Sequence, residues 1–321
     1  MIKVCFGFLL AALMGTTAQA QGFLRMEMIP IPSVTLKTEQ ILTGDLNGKP
    51  VTVAGQLRIP KAGTDKLAAI IMVHGSGGLS ASAKAWAREF NSIGMAVLVL
   101  DSFAGRGIVS TVNDQSQLDH LAMAVDAYRA LGVLAAHPRV DPARIAIIGF
   151  SKGAVAAVYS ANTRFRKLLG PSETEFAAHV GLYTPCNTAF RDDDKVTGKP
   201  IRMHHGIPDD WVSIEPCRAY AARLKQAGAD VALAEYEGAY HAYDNASLVQ
   251  PVKFPQAQTS RNCSAREANN GVIVNAKTGA VYSLADPCIE RGAQVAYNEA
   301  AHKATVAAVK DFLATTFKLK E

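Results

Sequence analysis

The sequence predicts an α/β protein with a mostly parallel central sheet and helices on both of its faces. Two observations carry this. Segments rich in β-branched and apolar residues alternate with helix-patterned segments along the chain. The middle strand candidates are also apolar almost throughout, as strands covered on both sides are. After an N-terminal leader, roughly 300 residues remain, a size that one α/β core commonly reaches.

The leader is "MIKVCFGFLLAALMGTTAQA", residues 1–20. Lys3 precedes an apolar run over 4–14, and Ala18 and Ala20 complete a small-residue cleavage pattern, so export to the periplasm or beyond is expected, with the mature chain starting near Gln21. The apolar run is shorter than the roughly 20 residues that a bilayer requires, and no later segment reads as a membrane span.

"SVTLKT" and "VTVAGQLRIP", separated by "DLNGKP", read as an opening antiparallel pair. "LAAIIMVHG" and "MAVLVLD" are buried strands joined by the helix "SAKAWAREFNSIG", which Gly94 stops. In "QSQLDHLAMAVDAYRALGVLAAH", Leu118, Leu121, Ala122, Val125 and Tyr128 recur at helical spacing, giving an amphipathic helix against the sheet. The strands "RIAIIGF", "HVGLY" and "PIRMHHG" follow, then the helix "PCRAYAARLKQAG" and the strand "VALAEYEG". A last helix is expected over 293–317, with Ala304, Ala308 and Phe312 on one stripe. The long connection over 245–292 breaks the rhythm, and loops of that length tend to be functional or separately stapled. It contains a hairpin candidate, "GVIVNAKTGAVYS", turning at 277–279.

The formal net charge is +5 without any basic run, which gives no basis for nucleic-acid or membrane-surface binding. Cys5 falls in the leader; the remaining cysteines, Cys186, Cys217, Cys263 and Cys288, are even in number, as disulfides in an exported chain require. Cys263 and Cys288 bracket the hairpin, while Cys186 follows one strand and Cys217 begins the helix after the next. These routes favour Cys263 with Cys288 and Cys186 with Cys217 over the two other pairings. No cysteine has metal-ligand spacing, and adjacent His204 and His205 point to opposite faces of a strand, so no metal is expected.

Gly149 to Gly153 reads G-x-S-x-G between a predicted strand and a predicted helix, the context of a strained turn that exposes a serine hydroxyl. Ser151 would then stand at a helix N-terminus, where backbone N–H groups favour developing negative charge. A serine nucleophile needs a histidine base and a carboxylate to orient it, in the chain order Ser, Asp or Glu, His. "GIPDDWV" after one strand offers Asp209, with Asp210 as the alternative, and "AYHAYD" after the next offers His241. In "VHGSGG", Ser76 and then Gly77 are placed to supply one N–H of an oxyanion hole, with the Lys152 N–H as the other. Arg106, in "LDSFAGRG", is a candidate guanidinium for a substrate carboxylate, set against the plainer reading of an arginine tied to loop carbonyls or an acid. Trp211, beside the two aspartates, is the other candidate substrate contact.

With "VHGSGG", "LDSFAGRG", "GFSKG", "HHGIPDDWV" and "YEGAYHAYD" in this order, the chain resembles the dienelactone hydrolase family of the α/β-hydrolase fold, from about residue 51 to 317. The resemblance implies a monomeric hydrolase of small-molecule esters or lactones, without cofactor, using Ser151, Asp209 and His241. It departs from the family's namesakes in having a serine where they use a cysteine, in its leader, and in the cysteine-bracketed insertion; these features resemble an exported branch. The alternatives are a peptidase of the same fold and a catalytically inactive binding protein on that fold.

Overall fold

The structure is a computed structural model and describes residues 25–319 except residue 172; the leader lies outside the described residues. The chain opens with β1 (Arg25–Thr35), the short helix α1 (Thr38–Thr43) and β2 (Lys49–Ile59). Then come β3 (Leu67–Val73), α2 (Ala81–Ser92), β4 (Ala96–Asp101), α3 (His120–Ala135), β5 (Val140–Phe150), α4 (Lys152–Tyr159), α5 (Thr163–Leu169), β6 (Ala178–Leu182) and β7 (Thr188–Ala189). β8 (Ile201–Gly206), α6 (Glu215–Gln226) and β9 (Val231–Tyr236) complete the main sheet. The insertion supplies β10 (Val252–Thr259), β11 (Ala265–Glu267), β12 (Ile273–Asn275) and β13 (Glu290–Val295), and α7 (Glu299–Phe317) closes the chain.

Eight strands form one sheet in the order β1-β2-β4-β3-β5-β6-β8-β9. Its first three strands pair antiparallel and the rest run parallel. Because side chains alternate across a strand, each parallel strand must feed two cores. Leu67, Ala69, Ile71 and Val73 of β3 point to the face covered by α3, α4 and α6. Ala68, Ile70 and Met72 point to the face covered by α2 and α7. Among the described residues, no helix is long and apolar enough to cross a membrane.

Four details differ from expectation. The first strand starts at Arg25 rather than at Ser33 and ends at Thr35, before the expected "LKT". Pro30 and Pro32 hide it in the sequence, yet an edge strand tolerates proline where the nitrogen points out of the sheet, and β1 pairs with β2 without a bulge. The second difference is in α3, which is buried almost all round from Leu121 to Tyr128 because, besides lying on the sheet, it packs against α4, α1 and α5. The last helix begins at Glu299, capped by the Asn298 side chain on the Ala301 N–H at 3.0 Å, and residues 293–295 belong to β13. Its buried stripe is Ala301, Thr305, Val309, Leu313 and Phe317, whereas Ala304 and Ala308 are exposed. Alanines carry too little apolar surface to decide a helix face; the larger Val309, Leu313 and Phe317 decide it.

The insertion is built from short pieces. β10 pairs with β13, and β11 lies between β12 and β7. The expected turn forms, with the Gly279 N–H donating to the Asn275 carbonyl at 2.8 Å, but the returning arm makes only one bridge, Val274 to Val281. Cys263 is bonded to Cys288 and Cys186 to Cys217, the favoured pairings. Glu267 of β11 pairs with Arg164 and Arg191, fastening the insertion to α5 and the β7 segment.

Candidate active site

Ser151 joins β5 to α4 at φ 51° and ψ −118°, a left-handed backbone that costs energy for any residue with a Cβ. The flanking glycines have separate steric reasons. A Cβ on Gly149 would lie 2.1 Å from the Gly153 carbonyl oxygen, and one on Gly153 would lie 2.4 Å from the carbonyls of Val73 and His74. The end of β3 therefore passes directly against the start of α4, and the loop after β3 reaches Ser151. His74 holds that loop as a neutral ring: its Nε2 accepts the Ser102 N–H at 3.2 Å and its Nδ1 donates to the Gly75 carbonyl at 2.8 Å. Burial keeps its pKa below the ordinary value.

Asp209 follows β8 and His241 follows β9. A Cβ at Gly206 would meet the Ala239 carbonyl at 1.7 Å, so only glycine lets the two loops touch. Asp209 Oδ1 accepts the N–H groups of Trp211 and Val212, each at 2.9 Å, and Oδ2 accepts His241 Nδ1–H at 2.8 Å. Burial works to raise the Asp209 pKa, but the His241 charge and hydrogen bonds from His205 and His241 prevail and hold it well below the usual carboxylate range. An ionised Asp209 can only accept, so His241 carries its proton on Nδ1 and leaves Nε2 to accept from the Ser151 hydroxyl at 3.0 Å. The ring is packed between Tyr183, 4.7 Å away centroid to centroid, and Trp211, 5.0 Å away. The chain leaving the insertion secures the loop: the Ala296 N–H donates to the His241 carbonyl.

Ser151 opens onto a cavity of about 650 Å³. Ser76, Lys152 and Trp211 line it; Gly77 does not. Arg106 requires correction, since it does not line the cavity and its guanidinium is committed elsewhere. Its five N–H donors meet both oxygens of the fully buried Asp126, the carbonyls of Val34 and Ser102, and Thr35 Oγ1, at 2.6 to 3.2 Å. No donor is left for a substrate. Asp210 also turns away from His241, with Oδ1 accepting the Gln294 N–H at 2.9 Å in β13.

Sequence reasoning missed Tyr183, His205, Asp244 and the side chain of Lys152. Tyr183 packs on His241 and donates to buried Asp244 at 2.8 Å, which also accepts Trp86 Nε1–H at 2.7 Å. His205 Nε2 donates to the Val212 carbonyl at 2.9 Å and lies 3.5 Å from Asp209 Oδ2, behind the carboxylate. No motif spacing marks these groups; only the meeting of separate strand ends reveals them.

Fold and strand order make this an α/β hydrolase. The chain belongs to the dienelactone hydrolase family, whose model matches residues 53–317. Among solved structures it is similar to a dienelactone hydrolase-like promiscuous phosphotriesterase from metagenomic libraries, at 16% identity and TM-score 0.59, over 91% of this chain and 98% of that one. It is also similar to an α/β hydrolase enzyme from a Medee basin deep-sea metagenome library, at 16% identity and TM-score 0.54, over 93% of this chain and 100% of that one. No curated protein matches the chain.

Proposed function

We propose that the protein is an exported serine hydrolase that cleaves carboxylic esters or lactones through an acyl-enzyme. The observation that carries this reading is the hydrogen-bonded chain Ser151–His241–Asp209 at a strained strand-to-helix turn opening on a cavity. Ser151 Oγ attacks the substrate carbonyl while His241 Nε2 takes its proton; Asp209 stabilises the imidazolium that forms. The proton then passes to the leaving alkoxide, and water repeats the sequence on the acyl-enzyme. The N–H groups of Ser76 and Lys152 are the donors we assign to the oxyanion, since both residues line the cavity next to Ser151. The leader pattern and the two disulfides support an oxidising compartment outside the cytoplasm.

A fluorophosphonate probe with peptide mapping tests the reading, together with hydrolysis of p-nitrophenyl esters, aryl esters and lactones. Labelling is expected at Ser151, and Ser151→Ala should lose at least about a thousandfold in rate while keeping its unfolding midpoint. A folded Ser151→Ala variant with most of its activity would overturn the assignment.

A further inference from the structure

Lys152 is the residue after the serine, and its side chain is as deeply buried as the aromatic core, at 1% exposure. Filling that space with an apolar side chain would avoid the several kcal/mol that desolvating an ammonium costs. All three of its donors point at neutral oxygens in the segment that leads into α3: the Gln115 carbonyl and Oε1, each at 3.1 Å, and Thr111 Oγ1 at 3.4 Å. With Oε1 held against the ammonium, the Gln115 amide has one sensible orientation, which turns Nε2–H toward Ser76 Oγ at 3.1 Å. The same segment grips the Ser76 carbonyl, through the Thr111 N–H at 2.8 Å and Ser110 Oγ at 3.3 Å. The Gln115 N–H in turn donates to Gln258 Oε1 of the insertion at 2.8 Å.

We propose that Lys152 is a positioning residue: its ammonium, acting through Gln115 and Thr111, fixes the Ser76 N–H opposite the Lys152 N–H and so sets the geometry of the oxyanion hole. One residue thus supplies one donor from its backbone and places the other with its side chain. The inference rests on the acyl-transfer reading above. Burial lowers the Lys152 pKa to about 7, with Asp119 and Asp114 pulling it upward, and His74 and His120 are the titratable rings that feel its charge. The grip is therefore complete below that pH and weakens as pH rises through it.

The test compares Lys152→Met, Gln115→Leu and the double variant with wild type, reading kcat, KM and the acylation burst on p-nitrophenyl acetate across pH. Removing one oxyanion donor costs about a hundredfold to a thousandfold, so misplacing one should lower kcat by about tenfold to a hundredfold in either single variant. KM should stay within about twofold, because the ground state does not use the hole. The double variant should be no worse than the poorer single one, and the fall in wild-type kcat above neutrality should be absent from Lys152→Met. Unchanged kcat in folded Lys152→Met, additive losses in the double variant, or the same alkaline fall with and without the lysine would each overturn the proposal. If Lys152→Met does not fold, Gln115→Leu decides alone, since Gln115 is partly exposed: a folded variant with wild-type kcat overturns it. An inert wild type with unlabelled Ser151 would remove the acyl-transfer reading first, which distinguishes the two failures.

Discussion

One wall of the cavity carries Ser151 on the loop between β5 and α4 of the packed main sheet, whereas the facing wall, over 252–295, is built of separate small sheets and is fastened by the Cys263–Cys288 bond and the Glu267 ion pairs. The first wall draws its rigidity from continuous apolar packing, which holds Ser151, Asp209 and His241 at hydrogen-bond distances across three separate loops. The second buries few and small apolar side chains, among them Ala257, Ala265, Val274, Ala293 and Val295, and is held by cross-links as well. Groups whose geometry must be exact stand on the packed wall. Ile273 and Leu284, which line the cavity, come from the stapled one.

On the packed wall, Asp209→Asn should lower turnover by roughly a hundredfold to ten-thousandfold, because a neutral amide neither fixes the His241 tautomer nor stabilises its charged form. Asp210→Asn should be mild, since an amide oxygen can still accept the Gln294 N–H. Steady-state kinetics on both variants checks this, and the reverse ranking would move the orienting acid by one residue.

Arg106→Ala should destabilise the fold by about 3 to 5 kcal/mol, because it strands the buried Asp126 carboxylate, with KM unchanged in the folded fraction. Denaturant titration and kinetics on the same preparation measure both quantities. A stable variant with a raised KM would return Arg106 to the substrate.

The stapled wall should give the smallest global effect. Closing a loop of the Cys263–Cys288 size is worth on the order of 3 kcal/mol in the entropy model, but here it acts on the insertion rather than on the sheet. Cys263→Ser with Cys288→Ser should raise hydrogen exchange over 252–295 and raise KM before the main unfolding transition moves. Equal loosening of β3 and β5 would show that the two walls form one cooperative unit.

The legible parts of the sequence were those set by local chemistry. The glycine pair round Ser151 and the strand-end placement of Asp209 and His241 follow from steric and chain-order requirements that a single segment displays. Long-range pairing was not legible. Asp126 sits mid-helix in α3, and nothing in its neighbourhood announces that Arg106 will reach it, so the substrate role and the structural role of that arginine read alike. The same holds for Lys152, whose side chain becomes informative only beside Gln115 and Ser76. The stripe on α7 is not legible from alanine spacing, because Val309, Leu313 and Phe317 carry the apolar surface that sets the buried face.

Pro30 and Pro32 bear on assembly. At the β1 edge they remove two outward N–H donors from the row that a further strand would need, so the main sheet cannot be continued there by a regular ladder, whether from a second copy or from a partially unfolded chain. An edge that cannot template a neighbour closes one of the two routes by which copies could join through the main sheet, the β9 edge being the other.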